Sequence, residues 1–146
     1  HHLSVIVFNA HGEDPQATPQ KDYYVKRVIG MPGDTVSYRK GQILVNGKPV
    51  KQNFINHLQK NDGTGITGYQ NNGNWDIHQL AAHWPRNRTS IKVPAGHYFV
   101  LGDHRSISND SRYWGFVSKN KVLGVVKTMP WGTTSHDRYD VNDLAY

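Results

Sequence analysis

The sequence predicts a mainly β protein with an antiparallel sheet at its core and a loop-rich insertion that contains one short helix. Short β-branched or aromatic runs at residues 5–8, 23–29 and 97–101 are typical of strands. Asn46-Gly47 lies between two further apolar runs, and this dipeptide is the strongest short signal for an antiparallel hairpin. With 146 residues, of which 36% are hydrophobic, the chain is long enough for one domain with a buried core.

The elements of the first half follow from local signals along the chain. Residues 4–8 are predicted as a strand, and the polar segment 9–20 is predicted as a loop because it holds two prolines and one glycine. A second strand, 23–29, runs into Met-Pro-Gly-Asp at 31–34. This tetrapeptide matches a type II turn, because proline presets the first central angle and glycine supplies the positive φ of the second.

The middle of the chain has a different character. Residues 52–92 lack a two-residue apolar period and are rich in Asn and Gly, so we predict an inserted subdomain there. The core then consists of 1–51 and 93–146. Inside the insertion, 74–84 is predicted as a short helix, because an asparagine can cap it, its apolar residues recur at helical spacing, and a proline follows it.

After the insertion the chain is predicted to return to strands. Their ranges are 97–101, 114–117 and 122–127. A polar loop, 102–112, separates the first two strands, and the tail 132–146 is polar and receives no element.

Charge and composition narrow the classes of partner and chemistry. The 17 Lys and Arg residues exceed the 11 Asp and Glu residues by 6, and the pI is about 9.6. This balance favours an anionic neighbour such as a phospholipid surface or nucleic acid. Because the chain has no cysteine, disulfide frameworks, thiol nucleophiles and Cys-ligated zinc are excluded.

Lys26 is the first candidate for chemistry, because a lysine in the middle of an otherwise apolar strand is uncommon. The strand period places Lys26 on one face with Tyr24 and Val28, while Arg27 points to the other face. Partial desolvation there lowers the pKa of a lysine amine, which suits it to act as a general base at neutral pH. The alternative is a lysine that extends from an exposed strand face into solvent, which spacing alone favours.

The polar loop 102–112 is the second candidate. It combines turn-forming residues with three serine hydroxyls, two aspartates and two arginines. Asp and Arg two positions apart can form a bidentate pair that stiffens such a loop, and a hydroxyl there can hydrogen-bond a neighbouring amine. The alternative is a polar surface hairpin with incidental ion pairs.

Two segments of the chain resemble the sequence boxes of bacterial type I signal peptidases. Residues 24–34 (YVKRVIGMPGD) resemble the lysine box, and 93–105 (VPAGHYFVLGDHR) with 108–115 (SNDSRYWG) resemble the later glycine-aspartate-arginine box. With the strand 5–8, the resemblance covers nearly the whole chain outside the insertion. It implies a Ser/Lys dyad protease with an all-β catalytic core and no metal or other cofactor. The short insertion and the absence of cysteine are more similar to a Gram-positive enzyme.

The resemblance also implies a role for each matching residue. Lys26 matches the general base, and Ser108 matches the serine that hydrogen-bonds and orients it. The matching supporting residues are Arg27, Asp103, Arg105, Asp110 and Arg112, of which Asp110 and Arg112 form the salt-bridged pair. The residues that match the substrate subsites are Tyr24, Val25 and Val7.

The nucleophilic serine of the family has no counterpart in this chain. Its Ser-Met-x-Pro-Thr type motif is absent, and Ser4 falls where the family usually has an aspartate. We therefore expect the nucleophile and an N-terminal transmembrane anchor to lie outside this chain, and the 146 residues alone to be inactive. The alternative is a catalytically inactive signal-peptidase-like binding protein, for example one that assists surface pilus assembly.

The expected partners follow from the same resemblance. They are the signal peptides of exported preproteins, cut after small residues at −1 and −3, and a phospholipid surface on the extracytoplasmic face of the cell membrane. Nucleic acid is not expected, because acidic residues are interleaved with the basic ones and no recognition motif occurs. No metal site is predicted, because His78 and His83 are five positions apart without a carboxylate at ligand spacing.

Overall fold

The computed structural model describes residues 1–18, 22–39, 42–53, 55, 90–105 and 108–127. Within these residues the strands, numbered in chain order, are β1 (Val5–Asn9), β2 (Tyr23–Gly30), β3 (Thr35–Arg39), β4 (Gln42–Val45), β5 (Lys48–Pro49), β6 (Ser90–Lys92), β7 (His97–Leu101), β8 (Val117–Ser118) and β9 (Val122–Val125). One four-residue helix, α1 (Ser111–Trp114), and a 3-10 turn, Lys119–Lys121, complete the described elements. No described helix has the length and apolar character needed to cross a bilayer.

The strands form two antiparallel sheets, which confirms the predicted mainly β class. The larger sheet has the order β8-β7-β2-β1-β9, and the smaller sheet has the order β5-β4-β3-β6. β2 lies in the centre of the larger sheet, between β1 and β7, and its last five residues are buried. The strand that carries Lys26 is therefore supported from both sides over its second half.

Both predicted turns are confirmed by backbone geometry. In the turn after β2, the Asp34 N–H donates to the Met31 carbonyl at 3.0 Å, and Gly33 has a φ of +87°. In the hairpin between β4 and β5, Asn46 and Gly47 have φ values of 51° and 76°. Two consecutive positive φ values define a type I′ turn, whose twist matches that of the flanking strands.

Two hydrophobic clusters pack against opposite faces of the larger sheet. One draws residues from both sheets, and its buried members are Ile29, Val36, Ile43, Ile91, Val93, Phe99 and Leu101. The other lies on the opposite face, with buried members Ile6, Phe8, Ala10, Val28, Val100, Trp114 and Val117. Gly30 permits the first cluster to close, because a Cβ at this position would lie 2.7 Å from the Val36 side chain.

The prediction of a strand at 114–117 was wrong. Residues Ser111–Trp114 are helical, and only Val117–Ser118 is a strand. The Asp110 side chain accepts a hydrogen bond from the Arg112 backbone N–H and thereby caps the helix. Gly115 follows with a φ of 105°, a conformation that ends the helix at low cost for glycine.

The predicted insertion lies mostly outside the described residues, as do the predicted helix 74–84 and the tail 132–146. At its end, Ser90–Lys92 forms β6, which pairs with β3 in the smaller sheet. The C-terminal strand predicted at 122–127 is present and covers Val122–Val125.

Candidate active site

Lys26 lies in the middle of β2, opposite Ile6 of β1, and is only 6% exposed. Its Nζ donates a hydrogen bond to the Ser108 Oγ at 3.1 Å, although 82 positions separate the two residues. The Tyr24 ring, on the same face of β2, has its centroid 5.6 Å from the Nζ. The structure thus brings together the base and the orienting serine that the sequence resemblance implied.

The surroundings of Lys26 favour its neutral form. Burial is the largest cause and lowers the pKa of the amine to about 8, and the charge of Arg112 acts in the same direction. The carboxylates of Asp110, Asp103 and Asp14 favour the ammonium form and partly oppose this shift. A lysine with this pKa has a far larger neutral fraction at neutral pH than an ordinary lysine.

A buried ion pair holds the segment that presents Ser108. The Arg112 Nε and Nη2 donate to the two carboxylate oxygens of Asp110 at 2.8 and 2.9 Å. The same guanidinium donates to the backbone carbonyls of Arg105 and Ser108, and Asp110 accepts from the Gly102 N–H. These contacts tie the start of the loop to its end, so the Ser108 backbone is anchored from both directions.

Asp110 remains ionised in this setting. Burial opposes ionisation of its carboxyl, but the Arg112 guanidinium and the hydrogen bonds from it outweigh burial, so the pKa of Asp110 lies below its usual value. The result is a charged pair without solvent contact directly behind Ser108. This arrangement restricts the geometry of residues 108–112, because a bidentate pair restricts both side chains.

The side chains of Asp103 and Arg105 form hydrogen bonds with different partners. The Asp103 carboxylate accepts from the Arg27 Nε and Nη2 at 2.8 and 2.6 Å, on the face of β2 that points away from Lys26. Arg105 instead donates to the Gly102 carbonyl and to the Gln52 side chain. The pairing of Arg27 with Asp103 could not be predicted from local sequence signals, because the two residues are 76 positions apart.

Val7 and Val25 are direct cross-strand neighbours in β1 and β2. Because side chains alternate along a strand, both lie on the face opposite to that of Lys26 and Tyr24. The three residues that match the family's substrate subsites therefore lie on two different faces of the sheet. Tyr24 is close to the Lys26 amine, whereas Val7 and Val25 form a small apolar pair on the other face.

Among the described strands, none pairs with β2 on its β7 side next to Lys26, and this stretch is called the open edge of β2. β7 pairs with β2 only from Arg27 onwards, so no described strand covers this side of β2 before that residue. On the β1 side, Val28 donates to the Ser4 carbonyl and accepts from the Leu3 N–H, and the Asp22 carbonyl accepts from the Ala10 N–H. In the antiparallel register the N–H and C=O of Val25 therefore face the open edge. β1 offers no such edge at Ile6–Phe8, because it pairs with β2 and also with β9.

Asp14 is a residue at the site that sequence analysis missed. It is 3% exposed and accepts hydrogen bonds from the Tyr24 hydroxyl at 2.7 Å and from the Asn109 side chain at 2.6 Å. Its segment was predicted only as a polar loop. Nothing in the spacing distinguishes Asp14 from other loop acids, since its partners are 10 and 95 positions away.

The arrangement is suited to proton transfer by side chains. A buried amine with a lowered pKa can accept a proton from a hydroxyl that approaches it, and a second hydroxyl fixes its direction. In the part of the chain that the structure describes, no group of three or more His, Cys, Asp or Glu side chains is placed to hold a metal ion. Fold and site together define a two-sheet β protein in which a buried lysine on the central strand donates a hydrogen bond to a serine in a loop.

This chain belongs to the family described as signal peptidase, peptidase S26, whose model matches residues 1–131. It is 34% identical over 140 residues to signal peptidase IB of Staphylococcus aureus (strain MRSA252), covering 95% of this chain and 64% of that protein. It is 32% identical over 127 residues to signal peptidase I V of Bacillus subtilis (strain 168), covering 86% of this chain and 64% of that protein.

A solved structure agrees with this assignment. The crystal structure of a signal peptidase I from Enterococcus faecalis V583 matches with a TM-score of 0.62 and 31% identity, covering 87% of this chain and 96% of that one. The resemblance to bacterial type I signal peptidases is therefore confirmed, as is the fold class. The chain spans less than two thirds of the length of the curated relatives named above.

Proposed function

We propose that this chain carries the general base of a membrane-associated serine endopeptidase that removes signal peptides from exported preproteins. The observation that supports this most directly is the buried Lys26 amine, which donates to Ser108 and has a pKa of about 8. Membership of the signal peptidase family supports the same reaction class. Because the chain spans only 64% of its curated relatives, the proposal concerns the complete protein.

In the proposed mechanism, the neutral Lys26 amine accepts the hydroxyl proton of a nucleophilic serine while that oxygen attacks the carbonyl carbon of the scissile peptide bond. The resulting ammonium then gives this proton to the leaving amine, and an acyl-enzyme ester remains. The same amine then takes a proton from a water molecule, whose oxygen attacks the ester carbonyl carbon. The acyl C–O bond breaks, and the ammonium returns the proton to the serine oxygen. Ser108 keeps the Nζ directed towards the nucleophile throughout.

We also propose that the nucleophile lies outside this chain. The Ser108 hydroxyl already accepts the hydrogen bond from Lys26, in a loop held by Arg112. Ser4 is buried, and its hydroxyl contacts the His1 ring instead of Lys26. This placement agrees with the absence of the family's nucleophile motif from the sequence.

The open edge of β2 supports binding of an extended peptide beside Lys26. An added strand would pair with the backbone of Val25, and its alternate side chains would point to one face of the sheet. With this arrangement the enzyme can recognise the side chains at −1 and −3 without contacting the side chain at −2. Tyr24 then supplies a surface on the face that holds Lys26, whereas Val25 and Val7 lie on the opposite face. Small residues are expected at −1 and −3.

The edge strand β9 supports contact with a phospholipid surface. Leu123 and Val125 are neighbouring apolar side chains on this strand and are 63% and 51% exposed. Lys121 precedes them and Lys127 follows them. Apolar side chains flanked by lysines suit the interface of a membrane that contains anionic lipids.

The pH dependence of cleavage tests the base directly. In the intact protein, kcat/KM for a preprotein with alanine at −1 and −3 is expected to rise with pH and level off above about 8, because only the neutral amine accepts the serine proton. The measurement is kcat/KM between about pH 6 and pH 10, with folding followed by circular dichroism over the same range.

Two other results would count against this proposal in different ways. A flat profile through pH 8 would exclude Lys26 as the base. Binding of the preprotein without any cleavage would favour the alternative of an inactive signal-peptidase-like binding protein, which needs the open edge of β2 but no neutral lysine.

Ser108→Ala tests the orienting role. It removes the acceptor of the Lys26 hydrogen bond but leaves the base in place, so we expect kcat to fall by about 10- to 100-fold. The loss should be smaller than that for removal of the lysine. Ser118→Ala, a serine on β8, serves as the matched control and should leave kcat unchanged. A loss for Ser108→Ala as large as that for Lys26 variants would indicate that Ser108 reacts directly.

A further inference from the structure

The segment between β1 and β2 contributes a buried carboxylate beside the site. Asp14 accepts three hydrogen bonds: from the Gln16 backbone N–H at 2.8 Å, from the Tyr24 hydroxyl at 2.7 Å and from the Asn109 Nδ2 at 2.6 Å. All three donors are neutral groups. A buried carboxylate is costly unless hydrogen bonds compensate for its lost hydration, so this geometry is strongly constrained.

Two of these donors belong to the two segments that meet at the candidate site. Tyr24 lies two positions before Lys26 on the same face of β2, and Asn109 directly follows Ser108. Both donate to the same oxygen of Asp14, Oδ2. One atom of Asp14 therefore joins the strand of the lysine to the loop of the serine.

We propose that Asp14 is a positioning residue that holds the Ser108 loop against β2, so that the Lys26 amine and the Ser108 hydroxyl stay in hydrogen-bond contact. The proposal rests on the proposed role of Lys26 as the base. The Asp110–Arg112 pair stiffens the loop from within, whereas Asp14 fixes the loop relative to the strand. The Asp110–Arg112 pair and the Asp14 contacts therefore have complementary effects.

Because Asp14 carries a charge, its contribution can be measured through the pKa of Lys26, which a purely structural contact would leave unchanged. The charged groups that act on the Lys26 amine are Asp110 and Arg112 from the loop and helix, Asp103 from the end of β7, and Asp14. The Tyr24 hydroxyl, on β2 itself, donates its hydrogen bond to Asp14. Because Asp14 favours the ammonium form, its neutralisation should lower the pKa of Lys26 further.

The first experiment measures the pKa of Lys26 in the intact protein, by competitive labelling of its amine across pH with mass-spectrometric readout. Asp14→Asn is expected to lower this pKa by about half a unit, because one negative charge is removed while the side-chain shape is kept. Asp34→Asn is the matched control. Asp34 also accepts hydrogen bonds from three residues, His2, Met31 and Asn46, but it lies in the turn after β2.

This measurement does not depend on turnover, so it separates the two proposals. An ordinary lysine pKa in the unmodified protein would contradict the role of Lys26 itself. A lowered pKa that Asp14→Asn leaves unchanged, or that Asp34→Asn shifts equally, would overturn the role of Asp14.

The second experiment measures kcat and KM on the same preprotein substrate. Asp14→Asn is expected to lower kcat by about 10- to 100-fold and to change KM by less than about twofold, because the loss is one of alignment. Asn109→Leu removes only the link to the loop and leaves the charge of Asp14, so kcat should fall while the Lys26 pKa stays the same. The kcat of the double variant should be no lower than that of Asp14→Asn alone, since both changes break the same connection.

Additive losses in the double variant, or an unchanged kcat in either single variant, would contradict the proposed link. If Asp14→Asn does not fold, Asn109→Leu decides, because Asn109 is half-buried and its replacement keeps a similar volume. An unchanged kcat in that variant would overturn the proposal.

Discussion

Lys26→Met in the intact protein is expected to reduce kcat/KM for preprotein cleavage by at least about 1,000-fold, because the substitution removes one member of a catalytic unit. The protein should stay folded. Methionine replaces the buried lysine stem with a similar volume, and the cost of burying an amine disappears. The measurements are cleavage rate and urea unfolding, and the free energy of unfolding should be equal to or higher than that of the unmodified protein.

Lys48→Met is the matched control for this experiment. Lys48 is exposed on β5, in the other sheet, so its replacement should leave cleavage unchanged. Near-normal turnover by Lys26→Met would refute the assignment of the base. A combined loss of folding and cleavage would instead show that Lys26 is needed for the structure of β2.

Asp103→Ala is expected to have the largest effect on stability, about 3–5 kcal/mol, because it removes the carboxylate that accepts two hydrogen bonds from the buried Arg27 guanidinium. The side chains of this pair are only 8% and 4% exposed and share two hydrogen bonds of 2.8 and 2.6 Å. The measurement is the free energy of unfolding from urea titration. The dependence of this free energy on urea concentration is compared between variant and unmodified protein, because it reports changes in compactness.

The double variant Arg27→Met with Asp103→Leu is the control for this stability prediction. It removes both charges and leaves apolar side chains, so it should be considerably more stable than Asp103→Ala alone. If both variants lose the same free energy, the cost arises from packing in this region and not from a guanidinium that has lost this carboxylate. If Asp103→Ala loses less than about 1 kcal/mol, the pair behaves like an exposed salt bridge.

Local signals correctly predicted most of the described elements. β1 and β2 follow from β-branched runs, and both turns follow from residues that are suited to particular backbone angles, such as Gly33 and Asn46. β6, at the end of the segment assigned to the insertion, and the helix α1 were not predicted, and α1 shows the limit of such signals. Aromatic residues at 113–116 favour a strand locally, but the Asp110 cap and the positive φ of Gly115 make this turn helical.

The sequence by itself determined the family resemblance, the strand that carries Lys26 and the alternation that places Tyr24 on the same face, because these depend on neighbouring residues and a two-residue period. Only the tertiary structure shows that Asp103 pairs with Arg27, that Asp14 reaches both Tyr24 and Asn109, and that no described strand pairs with β2 beside Val25. It also decided the pKa of Lys26, since burial is its largest cause. Each of these depends on contacts between distant positions, and such contacts exist only once the sheets have packed.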